Sequence, residues 1–136
     1  MKIRLRDNVI LEYKNNICVV SKLTKEYSIV DDDKIYYELL CKKEWIEEEL
    51  DEEMYEFLVS ENLVVSCYEN FYQESLEEKN IWYFESLDMP WNSDFNKIQS
   101  EISNANMLII GCGGVGTVVL QNLIGFGIKN IVLRKH

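Results

Sequence analysis

The stretch Met107-Leu-Ile-Ile-Gly-Cys-Gly-Gly-Val-Gly116 constrains this chain more than any other. Apolar residues run straight into Gly111, Gly113, Gly114 and Gly116, and a helix-compatible run from Thr117 to Phe126 follows. Strand, glycine turn and helix in that order, with the spacing G-x-G-x-x-G, form a phosphate-binding arrangement. The first glycine permits a tight turn, the second lets backbone N–H groups approach an anion, and the third lets the helix sit close to the strand. The helix N-terminus adds unpaired N–H groups and partial positive charge. Gly125-Phe-Gly127 reads as a helix stop with glycine near C′. Ile128 to Leu133 then reads as a second buried strand, so residues 107–133 form one right-handed β-α-β unit. A nucleotide-binding sheet needs more strands than two, so the unit is expected to be incomplete, with self-association or a homodimer as its consequence.

No charged residue occurs between Glu101 and Lys129. A transmembrane helix is the other reading of so long an uncharged run. Asn104, Asn106, Gln121 and Asn122 interrupt it, and glycines clustered at 111–114 weaken a helix, so no membrane partner is expected.

Charge divides the chain. Residues 1–80 hold 10 Lys/Arg against 20 Asp/Glu, whereas residues 81–136 hold 4 of each. All of the net charge of −10 therefore lies in the N-terminal part. Nucleic acid is not an expected partner, because phosphate contacts need Lys and Arg. Met1-Lys-Ile-Arg-Leu-Arg6 alternates and lacks the apolar run of a signal peptide. Cys18, Cys41, Cys67 and Cys112 are scattered, with no C-x-x-C pair, and read as reduced cytoplasmic thiols with no metal site. The single histidine, His136, stands last, which leaves a nucleophilic cysteine without a base.

In the N-terminal part, Val9–Tyr13 and Ile17–Val20 flank Asn15-Asn16 as a hairpin. Glu26-Tyr27-Ser28-Ile29-Val30 reads as a third strand. Asp31 to Asp33 would cap a helix to about Cys41 that turns Ile35, Leu39 and Tyr36 inward. A short helix is expected over 43–48 and a third over 51–61, capped by Asp51, with Leu50, Met54, Phe57 and Leu58 as its apolar stripe. Tyr55 and Val59 fall off that stripe. Leu63–Ser66 reads as a closing strand. Nine acidic residues and no basic one lie between Lys43 and Asn62, either a solvated face or a surface that attracts a basic partner segment. Beyond, Pro90 marks a loop, and Ser93-Asp94 can start a helix from Phe95 to Ile102 that turns Phe95, Ile98 and Ile102 inward.

The expected architecture is an α+β winged-helix-like peptide-recognition domain followed by an incomplete α/β Rossmann-like β-α-β unit. Its parts are residues 1–72, a linker and leading helix over 73–104, and the β-α-β unit over 105–136.

Residues 107–116 with Asn122–Leu133 closely resemble the start of the ThiF/MoeB adenylyltransferase family, whose fold is that of ubiquitin-activating enzymes. Glu78-Lys-Asn-Ile-Trp-Tyr-Phe-Glu-Ser86 resembles the segment that leads into the microcin C-type branch, and residues 9–66 resemble the PqqD-like clamp that recognises ribosomally made, modified peptides. The resemblance implies ATP and Mg²⁺ over the glycine turn, with Gly111, Gly113, Gly114 and Gly116 as the nucleotide-binding residues. A peptide carboxylate would attack the α-phosphate, forming an acyl adenylate and releasing pyrophosphate. It also implies a precursor or leader peptide added as a strand beside Glu26, Tyr27, Ser28, Ile29 and Val30, against Tyr55 and Val59 and rimmed by Asp51, Glu52 and Glu56. No catalytic residue of the family falls within the chain, and Arg134-Lys135 stands near the family's ribose-binding Asp. The expectation is intact peptide recognition, with adenylylation inactive or supplied by a partner modification enzyme. The alternatives are an NAD(P)-binding oxidoreductase fragment, which lacks its ribose-binding acid, and a pure protein-interaction module. This reading predicts no ATP–pyrophosphate exchange by the 136-residue chain above that of a Gly113→Asp control; clear exchange would contradict it.

Overall fold

The computed structural model describes residues 2–135, the side chains of residues 46 and 47 excepted; His136 lies outside the described residues. The fold is mixed α/β, and the chain divides into two compact units. One comprises residues 1–68 with 85–93, the other residues 69–84 with 94–136. The stretch expected to be a linker is thus shared between them.

The first unit holds two three-stranded sheets. β2 (Val9–Lys14), β3 (Ile17–Lys22) and β4 (Lys25–Val30) form an antiparallel meander in the order β2-β3-β4. The hairpin expected from the sequence is present. Asn15 and Asn16 both take positive φ, 52° and 61°, as a tight two-residue connection requires. Cys18 and Val20 point into the core, and burial lifts the Cys18 thiol to about 11. The second sheet has the order β5-β1-β6, with β1 (Lys2–Leu5) at its centre, β5 (Trp45–Ile46) and β6 (Val64–Ser66). Here the sequence reading is corrected. The alternation at the N-terminus is a central strand that buries Ile3, and the helix expected over 43–48 is β5 followed by a 3-10 turn over Glu47–Glu49. Pairing with β1 and the burial of Trp45, whose indole N–H donates to Leu39 O at 2.7 Å, override the local helical preference.

α1 (Ile35–Leu40) is capped from a distance. Lys34 stands at the cap in a left-handed conformation, while the buried Asp31 carboxylate accepts from Tyr36 N and Tyr37 N at 3.1 and 2.8 Å. Leu40 is the buried residue of this helix and Ile35 is exposed, which reverses the expected inward face at Ile35. α2 (Glu52–Ser60) begins as expected at Asp51, whose carboxylate accepts from Met54 N at 2.8 Å. Leu50, Met54 and Leu58 are buried, and Phe57 is half-buried against the Tyr27 ring, edge on at 5.2 Å between centroids.

Polar groups fasten residues 85–93 to the N-terminal strand. Arg4 grips the Glu85 carboxylate with two bonds of 2.9 and 2.7 Å, and Tyr68 Oη and Asp7 N donate to the same group. Arg6, 1% exposed, donates to Glu85 O, Asn62 Oδ1 and Met89 O.

In the second unit, α3 (Glu78–Ser86) buries Ile81 and Phe84, its last two residues belonging to the first unit. α4 (Phe95–Ser103) is capped by Asp94 as expected. Its fully buried face is Phe95, Asn96, Gln99 and Ser103, whereas Ile98 and Ile102, expected inward, are half-buried. Gln99 Nε2 donates to Phe126 O at 2.8 Å and Asn80 Nδ2 to the same oxygen at 3.2 Å. These bonds satisfy a carbonyl at the end of α5 (Gly114–Gly125). β7 (Asn106–Ile110) and β8 (Asn130–Arg134) pair in parallel on either side of α5 in sequence. Among the described residues, no helix is long and apolar enough to cross a membrane.

Burial alone would raise the Glu85 carboxyl, but the hydrogen bonds from Arg4 and Tyr68 hold it below the usual carboxylate range. A carboxylate depressed on folding stabilises above its unfolded value, about 4.3, and loses that contribution as pH falls through the folded value. Glu85→Ala should therefore cost about 3 kcal/mol at neutral pH by leaving Arg4 uncompensated. The gap to the parent should narrow as pH falls below about 4; urea titrations at several pH values measure it, and a gap that does not vary with pH contradicts the assignment.

Candidate functional site

Two sites stand out, one in each unit. In the first, β4 is an edge strand. Backbone groups of an antiparallel strand alternate in direction. The tight turn makes Lys14 and Ile17 a bonded pair, so the Ile17 backbone groups face β2. Ile17 is also opposite Val30, so the Val30 N–H and C=O point away from β3, as do those of Ser28 and Glu26. Tyr27 and Ile29 bond to β3 and turn their side chains to the core face, where Tyr27 meets Phe57.

Along this free edge runs an open groove of about 560 Å³, lined by Glu26–Ile29 on one side and by Met54 and Phe57 of α2 on the other. Asp51, Glu53 and Tyr36 line one end, with Tyr36 Oη donating to Asp51 Oδ2 at 2.9 Å. At the other, Tyr27 Oη bonds the Glu61 carboxylate, which raises the Tyr27 phenol. The expected β4 residues thus lie together, Val30 just beyond in an adjoining depression. Tyr55 and Val59, expected to face the strand, lie outside the groove, in a depression on α2 that shares Glu53 and Phe57 with it. Glu52 and Glu56 do not line the groove; Asp51 and Glu53 do. The sequence signal for Met54 and Phe57 is their place on the apolar stripe of α2, which by itself points to the core.

In the second unit, Gly111 N donates to Arg134 O at 2.8 Å, and Gly111 turns the chain with φ 85°. Gly113 is the N-cap, and α5 starts at Gly114, three residues before the expected Thr117. Thr117 fastens the turn through its N–H to Gly113 O at 2.9 Å and its hydroxyl to Cys112 O at 3.2 Å. Gly116 has no room for a side chain, because a Cβ there would lie 2.1 Å from Gly111 O. Gly113 and Gly114 are open, with nothing within 4 Å of such a Cβ. The N–H groups of Gly114, Val115 and Gly116, in the first turn of a 12-residue helix, have no helical carbonyl to bond. This is a backbone anion cradle, and it fits a nucleotide phosphate. The segment supplies no carboxylate for Mg²⁺, and among the described residues no group of three or more His, Cys, Asp or Glu side chains could hold a metal ion.

The ThiF family model matches residues 86–134. No curated protein matches the chain in sequence. Among solved structures, the fold is similar to that of Escherichia coli MccB with ATP, at 21% identity and a TM-score of 0.66 over 98% of this chain and 43% of that one. MccB with MccA gives 20% identity and a TM-score of 0.67 over 98% and 42%. The microcin C7 biosynthetic enzyme MccB in complex with N-formylated MccA gives 19% and 0.60 over 98% and 41%. The chain thus spans about two fifths of the MccB chains it is similar to.

The cradle geometry separates two glycine substitutions. Gly116→Ala should destabilise the protein by about 1–3 kcal/mol through overpacking, whereas Gly113→Ala should cost less, about 0.5–1 kcal/mol for the poorer N-cap. Equal melting curves would contradict the close approach of turn and helix. With this turn at its centre, the segment 86–134 matches the ThiF family model, in a chain whose fold is similar to that of MccB.

Proposed function

We propose that this chain recognises a precursor peptide and binds the phosphates of ATP, as part of a peptide-adenylylating system that makes a modified ribosomal peptide in the cytoplasm. The observation that carries the reading is the presence, in one chain, of an edge strand beside an apolar groove and a glycine turn with free helix N-terminal amides. The ThiF match over the second feature and the likeness to structures of MccB with ATP and with MccA support it.

The peptide adds as a strand to β4, bonding the outward backbone groups of Glu26, Ser28 and Val30, with alternate side chains seated against Met54 and Phe57. The amides of Gly114, Val115 and Gly116 hold phosphate oxygens, with Gly111 and Gly113 shaping the turn. Mg²⁺ comes with the nucleotide and takes no ligand from the turn. When bound, ATP supplies an α-phosphorus open to attack by a peptide carboxylate. The chain's own part is to hold the peptide at β4 and the phosphates of ATP at the glycine turn.

Two substitutions test the two sites. Gly113→Asp puts a good N-cap in open space and a negative charge where phosphate would sit. Equilibrium dialysis with labelled ATP should show the protein folded and its affinity down by more than about tenfold; equal affinity would contradict the nucleotide site. Ser28→Pro removes an N–H that serves only the free edge, a place where a sheet tolerates proline. It should keep the circular dichroism spectrum and abolish capture of octapeptides selected from a displayed random library on the parent chain. Undiminished capture would move the peptide elsewhere.

A further inference from the structure

The peptide groove has unequal ends. At the Tyr27 end, the neighbouring depression sets Lys22 and Lys25 against Glu61 and Asp88, so charge there is nearly balanced. Toward Val30, the groove runs through Tyr36 and Asp51, which line both, into a depression of about 340 Å³ bounded by Val30, Asp31, Asp32 and Asp33. Asp31 is committed to the Tyr36 and Tyr37 amides, and Asp51 to Met54 N and the Tyr36 hydroxyl. Asp32 and Asp33 are exposed and make no ion pair among the described residues. Their charge is therefore available to an occupant of the groove. Apolar groups line both ends, Ile35 and Leu39 beside these aspartates and Phe57 packed on Tyr27 at the other; the free negative charge of Asp32 and Asp33 lies at the Val30 end alone.

β4 and the bound strand share one repeat, about 3.3 Å per residue with side chains of one face two residues apart. From Tyr27 to Asp31, where the chain turns into the exposed Asp32 and Asp33, is four residues, about 13 Å, which returns to the same face of the added strand. We propose that the peptide bound on β4 carries a lysine or arginine at its Val30 end, four residues from an apolar side chain seated over Phe57. The occupant is thus an extended basic peptide, held by strand pairing, anchored by one apolar residue and oriented by Asp32 and Asp33. This rests on the peptide-recognition reading above and adds the composition and polarity of the ligand.

Random octapeptides displayed on phage and selected on the full chain provide the probe. Selected peptides should share an apolar residue and a Lys or Arg four positions apart. A synthetic copy should bind roughly tenfold more tightly at low salt than its Lys/Arg→Glu counterpart, since two exposed charges act on it. An Asp32→Asn/Asp33→Asn double variant, altered only at exposed side chains, should shrink that preference to about twofold or less, while binding of the Glu counterpart holds or rises. Selected peptides that Ser28→Pro releases but that show no basic preference would leave the groove reading intact and overturn this proposal. So would a preference unchanged in the double variant. Failure to select any peptide that depends on Ser28 would overturn both.

Discussion

The two-residue turn at Asn15-Asn16 fixes the register of the first sheet, and with it the chemistry of the edge that matters. Both asparagines adopt positive φ, which β-branched or bulky residues avoid. The turn makes Lys14 and Ile17 a bonded pair, and strand alternation carries that assignment across β3 to β4. A shift of one residue would turn Cys18 and Val20 out of the core and exchange the outward and inward backbone groups of β4. Burial of those side chains thus selects which amides a peptide could meet.

Buried polar groups hold the remaining parts in place. Arg6 reaches two carbonyls and Asn62 from almost complete burial, and Arg4 neutralises Glu85. These bonds bring residues 85–93 into the first unit, although 17 positions separate Tyr68 from Glu85 along the chain. In the second unit, Gln99 plays the equivalent part for α5, with a buried amide donating to the carbonyl of Phe126. Gly127 follows with φ 89°, and a Cβ there would meet Gln99 Nε2 at 2.8 Å, so a side chain would disturb the same network.

The glycine turn was legible in the sequence because its constraint is local: Gly111 needs positive φ, and Gly116 needs to lack a Cβ. The hairpin and the Asp51 and Asp94 caps are legible for the same reason. What sequence could not show depends on distant partners. The alternation at Lys2–Leu5 becomes a central strand only because residues 45–46 and 64–66 flank it. The acid-rich stretch at 43–49 looks helical until Trp45 is buried. The isoleucines of α4 mark Ile98 and Ile102 as its inward face, yet Asn96 and Gln99 are deeper, drawn in by carbonyls at Glu69 and Phe126. Tyr55 and Val59 fall off the apolar stripe of α2, which is why the sequence offers them to the strand. The helix instead divides that stripe, burying Leu58 and turning Phe57 toward Tyr27 and the groove.

The most direct measurement is residue-resolved amide hydrogen exchange with and without a selected peptide. Strand addition at β4 requires new protection at the amides of Glu26, Ser28 and Val30, with little change at Tyr27 and Ile29, which already bond to β3. Protection gained at the β2 edge, or around Tyr55 and Val59 with β4 unchanged, would contradict the account.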